Sequence, residues 1–107
     1  EAAMQIPVTS VAAVGAAIRA ARKAGGVRQD DLGVVSHMFL RDLEQGKETV
    51  QFGRALKVLK ELGIRLVMDV PDSLGPELRE SISLAEAAAK ARADAAEAAK
   101  KAKKASE

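Results

Sequence analysis

Residues 36–47 read SHMFLRDLEQGK and predict a short amphipathic helix. Ser36 is a favourable N-cap residue and Gly46 a favourable terminator, so we expect the helix to run from His37 to about Gln45. One face of this helix is apolar and would pack inward: Phe39, Leu40 and Leu43. The other face would be exposed: His37, Met38, Arg41 and Gln45. The segment therefore combines an anchoring face with a face that is free to meet a partner.

Three further helices are predicted around this segment, over residues 11–24, 27–32 and 50–62. Thr9 or Ser10 would cap the first, which a glycine pair ends. The second begins with acidic residues and is interrupted early by Gly33. Thr49 would cap the last, whose apolar positions have the spacing of a buried stripe. These positions are Phe52, Ala55, Leu56, Leu59 and Leu62.

The segment Ile64–Val70 alternates as a β-strand does and is ended by Pro71. Its apolar residues share one face: Ile64, Leu66, Met68 and Val70. A lone strand leaves backbone groups unpaired, and the other candidate, Met4–Val8, is short and carries Pro7. We therefore expect two copies of Ile64–Val70 to pair across a two-fold axis, so that the protein is a homodimer.

The composition changes at Pro76. Leu78, Ile82 and Leu84 give a brief amphipathic start, and almost every later residue is Ala, Lys, Arg, Glu or Asp. Alanine favours helix, yet a helix without large apolar residues has little to anchor it. The sequence therefore predicts a domain over residues 4–71 and an Ala/Lys/Glu-rich tail over residues 76–107, either helical or disordered.

Composition excludes several classes of protein. The 107 residues include no cysteine and a single histidine, so thiolate sites and paired-histidine metal sites are absent. No glycine-rich phosphate loop and no carboxylate pair with a supporting base is present, so we expect neither an enzyme nor a cofactor. No apolar run approaches the length of a membrane span, and no signal peptide is visible. We expect a cytoplasmic protein that does not bind membranes.

Short helices separated by glycines, with a polar outer face on the third, are typical of a helix-turn-helix domain. A helix is about 10–12 Å across and fits a DNA major groove about 12 Å wide, so exposed side chains on it reach base edges. The net charge of +2 is compatible with a nucleic-acid partner. The sequence thus favours a mainly α fold of four to five helices, completed by the short terminal strand.

The order of residues in three segments, 19–32, 36–47 and 49–66, resembles the Xre/Cro-like helix-turn-helix regulators, and within them the HipB-like antitoxins. The resemblance covers about residues 4–71. It implies a DNA-binding repressor of transcription that acts as a dimer on a palindromic operator. The HipB-like subset further implies autoregulation and a HipA-type kinase toxin as partner. One departure is that about three residues are missing after Leu32, which shortens the second helix.

The resemblance also assigns DNA contacts by position. Its phosphate-binding positions correspond to Arg28, Gln29, Ser36 and Lys47. Its base-reading positions correspond to His37, Met38 and Arg41. Helix N-termini bind anions, and arginine pairs bidentately with guanine, so these residue types suit the roles.

Several of these residues also have a structural interpretation. Arg41, His37 and Lys47 could be ordinary solvated side chains, Met38 could fill the core, and Gln29 could simply be a residue at the start of a helix. Glu44 is interpreted as structural, bonded to Arg19 or Arg22. A second function class also stays open: a protein-interaction module that uses the helical domain and charged tail without specific DNA binding.

Overall fold

The computed structural model describes residues 2–106 and contains four α-helices and two 3₁₀ turns. The helices are α1 (Val11–Ala24), α2 (His37–Glu44), α3 (Phe52–Glu61) and α4 (Gly75–Ala105). The 3₁₀ turns are Gln29–Asp31 and Asp72–Leu74. The chain divides into two compact units, one ending at Val67 and the other beginning at Met68. The first unit contains α1, α2 and α3 and holds the core.

Helix α1 has the bounds that the sequence predicts. The Ser10 hydroxyl accepts a hydrogen bond from the Ala13 N–H (3.0 Å), which satisfies one of the unpaired donors of the first turn. Gly25 follows the last residue, and its N–H donates to the Ala21 carbonyl (3.1 Å). The buried side of α1 carries Gly15, Ile18 and Arg22, so this helix contributes both an apolar and a charged group to the interior.

Helix α2 also confirms the sequence prediction to within one residue. The Ser36 hydroxyl accepts from the Phe39 N–H (3.1 Å), and the helix ends before Gly46. Gly46 has a φ of +83°, and a Cβ atom there would lie 2.9 Å from the Ala12 Cα in α1. The exit from α2 therefore requires glycine for two reasons, its backbone conformation and its closeness to α1.

The second predicted helix is wrong. Residues 29–31 form a single 3₁₀ turn, in which the Arg28 N–H donates to the Asp31 carboxylate (2.9 Å). The backbone becomes extended at Leu32, whose side chain is buried, and residues 33–35 form a turn that leads to α2. The extended backbone at Leu32 ends this turn before a second turn of helix forms.

Helix α3 begins two residues later than predicted, with Gln51 at the N-cap in place of Thr49. Its buried face is centred on Ala55, Val58 and Leu59. A rotation of about 100° per residue places Phe52 and Leu56 at the margin of that face. Phe52 is 66% exposed and Leu56 38% exposed, so their predicted burial is wrong.

The core lies where α1, α2 and α3 meet. Its buried apolar residues are Ile18, Leu32, Leu40, Leu43, Ala55, Val58 and Leu59. Half-buried residues close its edges, among them Phe39, Leu62 and Ile64. Together these side chains hold α2 by its inner face and leave its outer face exposed.

The predicted terminal strand does not form within the chain. Residues 64–70 have no regular secondary structure, and no residue between 2 and 106 takes part in a β-ladder. Ile64 is held at the end of α3 by a hydrogen bond from its N–H to the Leu59 carbonyl (2.9 Å). The boundary between the two compact units follows Val67, inside the predicted strand. The segment Met4–Val8 is likewise unstructured and exposed.

The second unit consists mainly of α4, a continuous helix of 31 residues. Pro76 lies near its start, where a missing N–H costs nothing, and none of its residues is buried. An exposed ion pair joins Lys90 Nζ to Asp94 Oδ2 (3.0 Å), one helical turn further along α4. Alanine propensity and pairs of this kind support the helix in place of an apolar stripe.

Candidate nucleic-acid interface

The outer face of α2 is an exposed polar surface. His37, Met38 and Arg41 are all exposed there, while Leu40 and Leu43 on the opposite face are buried. Met38 is 54% exposed, which argues against the core-filling alternative. The fold therefore brings the three predicted base-reading residues together on one side of a helix held by the core.

The N-terminus of α2 lies beside this surface. Ser36 is exposed and its hydroxyl is occupied as the cap, so the free N–H groups of the first turn are those of His37 and Met38. The helix dipole places partial positive charge at this end. An anion such as a phosphate would be stabilised here next to the exposed side chains.

The two other cationic candidates are exposed and have weak partners. Arg28 lies at the start of the 3₁₀ turn, with its Nε 3.5 Å from Asp30 Oδ1. Lys47 follows α2, with its Nζ 3.6 Å from Asp42 Oδ2. Exposed ion pairs of this length contribute little free energy, so both side chains can exchange their partner for a phosphate.

Gln29 differs from the other candidates because it is half-buried and already engaged. Its side-chain amide donates to Glu44 Oε1 (3.2 Å). An amide carries two N–H donors, so one remains for an outside acceptor. Gln29 therefore connects the 3₁₀ turn to α2 whether or not it also contacts DNA.

A buried ion pair lies behind this surface. Arg22 in α1 donates from Nε to Glu44 Oε2 and from Nη2 to Glu44 Oε1, both at 2.8 Å. The side chains are 9% and 3% exposed. Arg22 Nη1 also donates to the Val27 carbonyl (2.9 Å), in the segment between α1 and the 3₁₀ turn. The structure confirms Arg22, one of the two predicted partners, as the partner of Glu44.

Both members of the pair are held in their charged forms. Burial raises the pKa of Glu44, but hydrogen bonds from Arg22 and Gln29 and the positive charges of Arg22 and Arg19 outweigh it, so the pKa lies below its ordinary value. The hydrogen bond to Glu44 raises the pKa of Arg22. The network of Arg22, Glu44, Gln29 and the Val27 carbonyl thus joins α1, the 3₁₀ turn and α2, and it fixes the orientation of the exposed face.

Sequence reasoning missed two residues near this site. Arg54 in the first turn of α3 is exposed, and its guanidinium carbon lies 6.0 Å from the centre of the Phe39 ring. This contact places a further cation beside α2. Gly15 lies so close to α2 that a Cβ atom there would overlap the Leu43 carbonyl oxygen. No local pattern signals either contact, because both depend on tertiary packing.

Among residues 2–106, no group of three His, Cys, Asp or Glu side chains is arranged to hold a metal ion. Over the same residues, no helix combines the length and the apolar character needed to cross a membrane.

Comparison with known proteins gives one informative match. The chain is 40% identical over 67 residues to the uncharacterized HTH-type transcriptional regulator y4mF of Sinorhizobium fredii (strain NBRC 101917 / NGR234). The match covers 60% of the chain and 88% of that protein. Neither a family model nor a solved structure matches the chain.

Proposed function

The chain belongs to the HTH-type transcriptional regulators, and on that premise we propose that it is a sequence-specific DNA-binding repressor. The observation that carries this proposal is the exposed face of α2, with His37, Met38 and Arg41 presented by a helix that the core and a buried ion pair hold in place. A protein bound at a promoter blocks access to it, so repression requires no activity beyond tight and specific binding.

In the proposed complex α2 enters the major groove. Arg41 pairs with a guanine through two parallel hydrogen bonds, and His37 and Met38 contact the neighbouring base edges. The N-terminus of α2 at Ser36 and the side chain of Lys47 bind backbone phosphates. Arg28 and the free amide hydrogen of Gln29 add phosphate contacts from the 3₁₀ turn, before α2.

Arg41→Ala and Lys47→Ala are expected to weaken DNA binding in different ways. Loss of a guanine contact should cost about 1–3 kcal/mol for the operator and relax preference at one base pair. Loss of a phosphate contact should weaken binding to all duplexes alike. It should also make the slope of log affinity against log salt shallower by about one unit. Fluorescence anisotropy with operator and scrambled duplexes measures both.

Arg79→Ala in α4 serves as the control, because it removes an exposed arginine far along the chain from α2. It should leave operator preference unchanged. Equal, sequence-independent losses from Arg41→Ala and Lys47→Ala would contradict the assignment of α2 as the base-reading helix. A salt-independent affinity for duplex DNA would instead favour the protein-interaction module, which the comparison does not favour.

We further propose that the repressor is a homodimer on a palindromic operator. An open groove of about 510 Å³ in the first unit is lined largely by apolar residues, including Leu56, Leu59, Ile64, Leu66 and Val67. Leu66 and Val67 are about half exposed, and the backbone of residues 65–67 forms no backbone hydrogen bond within residues 2–106. A second copy would cover this apolar surface and pair with the backbone of residues 65–67, with the two α2 helices about 34 Å apart.

Leu66→Lys is expected to shift the protein from dimer to monomer and to weaken operator binding at least tenfold. The lysine would place a charge in the apolar contact, and the lost dimer would leave each half-site to bind alone. Sedimentation velocity at micromolar concentration reports the oligomeric state. Ile82→Lys is the matched control, since it makes the same change at a half-exposed position in α4. A Leu66→Lys protein that still dimerises would refute the arrangement.

The most specific form of this function is that of an antitoxin which represses its own operon together with a HipA-type kinase. The resemblance to the HipB-like subset supports it. It requires that a kinase gene adjoin this one, and that the two proteins copurify after coexpression. A solitary gene under the control of this repressor would leave only the regulatory role.

A further inference from the structure

The last turns of α4 carry a concentrated positive charge. Residues 98–106 contain four lysines and no acidic residue: Lys100, Lys101, Lys103 and Lys104. The preceding part of the helix is mildly acidic, because residues 77–97 hold five carboxylates and three cations. The charge is therefore separated along the helix, and we call the four residues the lysine cluster.

The lysine cluster is free to bind an outside anion. All four side chains are exposed. Within residues 2–106 none of them forms an ion pair, whereas Lys90, earlier in the same helix, pairs with Asp94. The neighbouring residues have short side chains: Ala102 lies within the lysine cluster, and Ala105 directly follows it. Nothing along this stretch of helix hinders the approach of the lysines to a flat or grooved surface.

Helix geometry distributes these charges over one broad side. At about 100° per residue, the four lysines cover roughly 160° of the circumference. Two or three of them can therefore face the same surface at once. Because α4 is continuous, the cluster lies about 40 Å along the helix from Gly75. An array of this kind suits a partner with regularly spaced negative charges.

We propose that the lysine cluster is a second DNA contact, which binds duplex phosphates without regard to sequence. This inference rests on the proposed DNA-binding function and deepens it. Duplex DNA carries about one negative charge per 1.7 Å, which provides a phosphate for each lysine on the facing side. A membrane is the less suitable partner, because the large apolar residues of α4 (Leu78, Ile82 and Leu84) all precede the cluster and leave no apolar face beside it.

The cluster would hold the regulator on DNA while α2 samples base sequences. Contacts to phosphates alone supply non-specific affinity and speed the search along the duplex. In this proposal the first unit provides sequence-specific binding, and the second unit provides non-specific affinity for DNA. The cluster also lies at the C-terminus of a helix, where cations stabilise the dipole, so the test must separate binding from helix stability.

The experiment uses the full chain with all four lysines replaced by glutamine, K100Q/K101Q/K103Q/K104Q. Glutamine and lysine have similar helix propensity, and circular dichroism at 222 nm checks that α4 is retained. The probe is a 30-base-pair duplex of scrambled sequence, titrated by anisotropy across a range of salt concentrations. The glutamine variant should bind at least tenfold more weakly at 0.1 M salt, with a salt slope shallower by about two units.

Replacement of the same lysines by arginine is the matched control, because it retains charge and reach. The arginine variant should bind as the native protein does. Equal losses in both variants would show a structural role for the lysines and overturn the proposal. Unchanged binding by the glutamine variant would also overturn it, as would binding of the cluster to phosphatidylserine vesicles in place of the duplex.

The outcomes also separate this inference from the function on which it rests. If Arg41→Ala loses operator preference while the glutamine variant binds scrambled duplex normally, the repressor function stands and the second contact fails. If the glutamine variant loses binding while Arg41→Ala and Lys47→Ala do not, the cluster binds DNA and the role of α2 fails. If the native chain binds no duplex, both fail.

Discussion

Replacement of Glu44 by alanine is expected to lower the free energy of unfolding by about 3–5 kcal/mol. The change removes the two carboxylate oxygens that accept from Arg22, whose side chain is 9% exposed, and leaves its positive charge buried without a counterion. It also removes the acceptor of the Gln29 amide. A small domain has about 5–15 kcal/mol of stability in total, so much of the protein would unfold at mild denaturant concentrations. Urea titration monitored by circular dichroism measures the loss.

Asp42→Ala is the matched control for this change. It breaks the pair between Asp42 in α2 and Lys47, which follows this helix; the two side chains are 38% and 57% exposed. An exposed pair contributes about 0–1 kcal/mol, so the control should change stability little. The double variant Arg22→Met/Glu44→Met removes both charges and should recover most of the loss. A Glu44→Ala protein as stable as the Asp42→Ala control would contradict the structural role of the pair.

The same pair predicts a dependence of stability on pH. The pKa of Glu44 is lowered in the folded protein, so its contribution is fully present above the unfolded-state pKa of about 4.3. The contribution is lost as the pH falls further, through the folded-state pKa. The stability gap between the native protein and Glu44→Ala should therefore narrow in acid. This stability gap should be constant near neutral pH, where the Glu44 carboxylate is charged in both the folded and the unfolded protein.

The elements that the sequence predicted well are those specified by local interactions. Helices α1 and α2 have a serine cap, an apolar face at helical spacing and a glycine stop within their own residues. The exposed face of α2 follows from the same pattern. The sequence offered Arg22 or Arg19 as the partner of Glu44, because the two arginines are one turn of helix apart on the same side of α1. Only the packing of α1 against α2 selects Arg22.

The elements that the sequence predicted badly depend on parts of the chain that are distant in sequence. The predicted second helix is only a 3₁₀ turn, since the backbone becomes extended at Leu32, whose side chain is buried in the core. The exposure of Phe52 depends on how α3 is rotated against the core. Residues 64–70 alternate as a strand does, but no other segment within residues 2–106 pairs with them. The spacing of apolar residues along the sequence does not determine the length of the turn, the rotation of α3 or the pairing of residues 64–70.

Gly15→Ala is expected to destabilise the protein by about 2 kcal/mol or more, although alanine is the better helix former by about 1 kcal/mol. A Cβ atom at residue 15 would overlap the Leu43 carbonyl oxygen and lie 3.0 Å from the Glu44 Cα. Both are backbone atoms of α2, so no side chain can move aside and the two helices must separate. Overpacking of this kind typically costs about 1–3 kcal/mol, and here the backbone itself must move.

The displacement should also reach the DNA-binding surface. Separation of α1 from α2 would lengthen the hydrogen bonds between Arg22 and Glu44 and reorient the outer face of α2, so operator affinity should fall together with stability. Gly53→Ala is the matched control. Residue 53 lies in α3 with no atom within 4 Å of an added Cβ, so the same substitution should stabilise the protein by about 0.5 kcal/mol and leave affinity unchanged. Thermal melting measures the stability of the two variants, and operator titration measures their affinity. A Gly15→Ala protein more stable than the native one would show that α1 and α2 do not pack this closely.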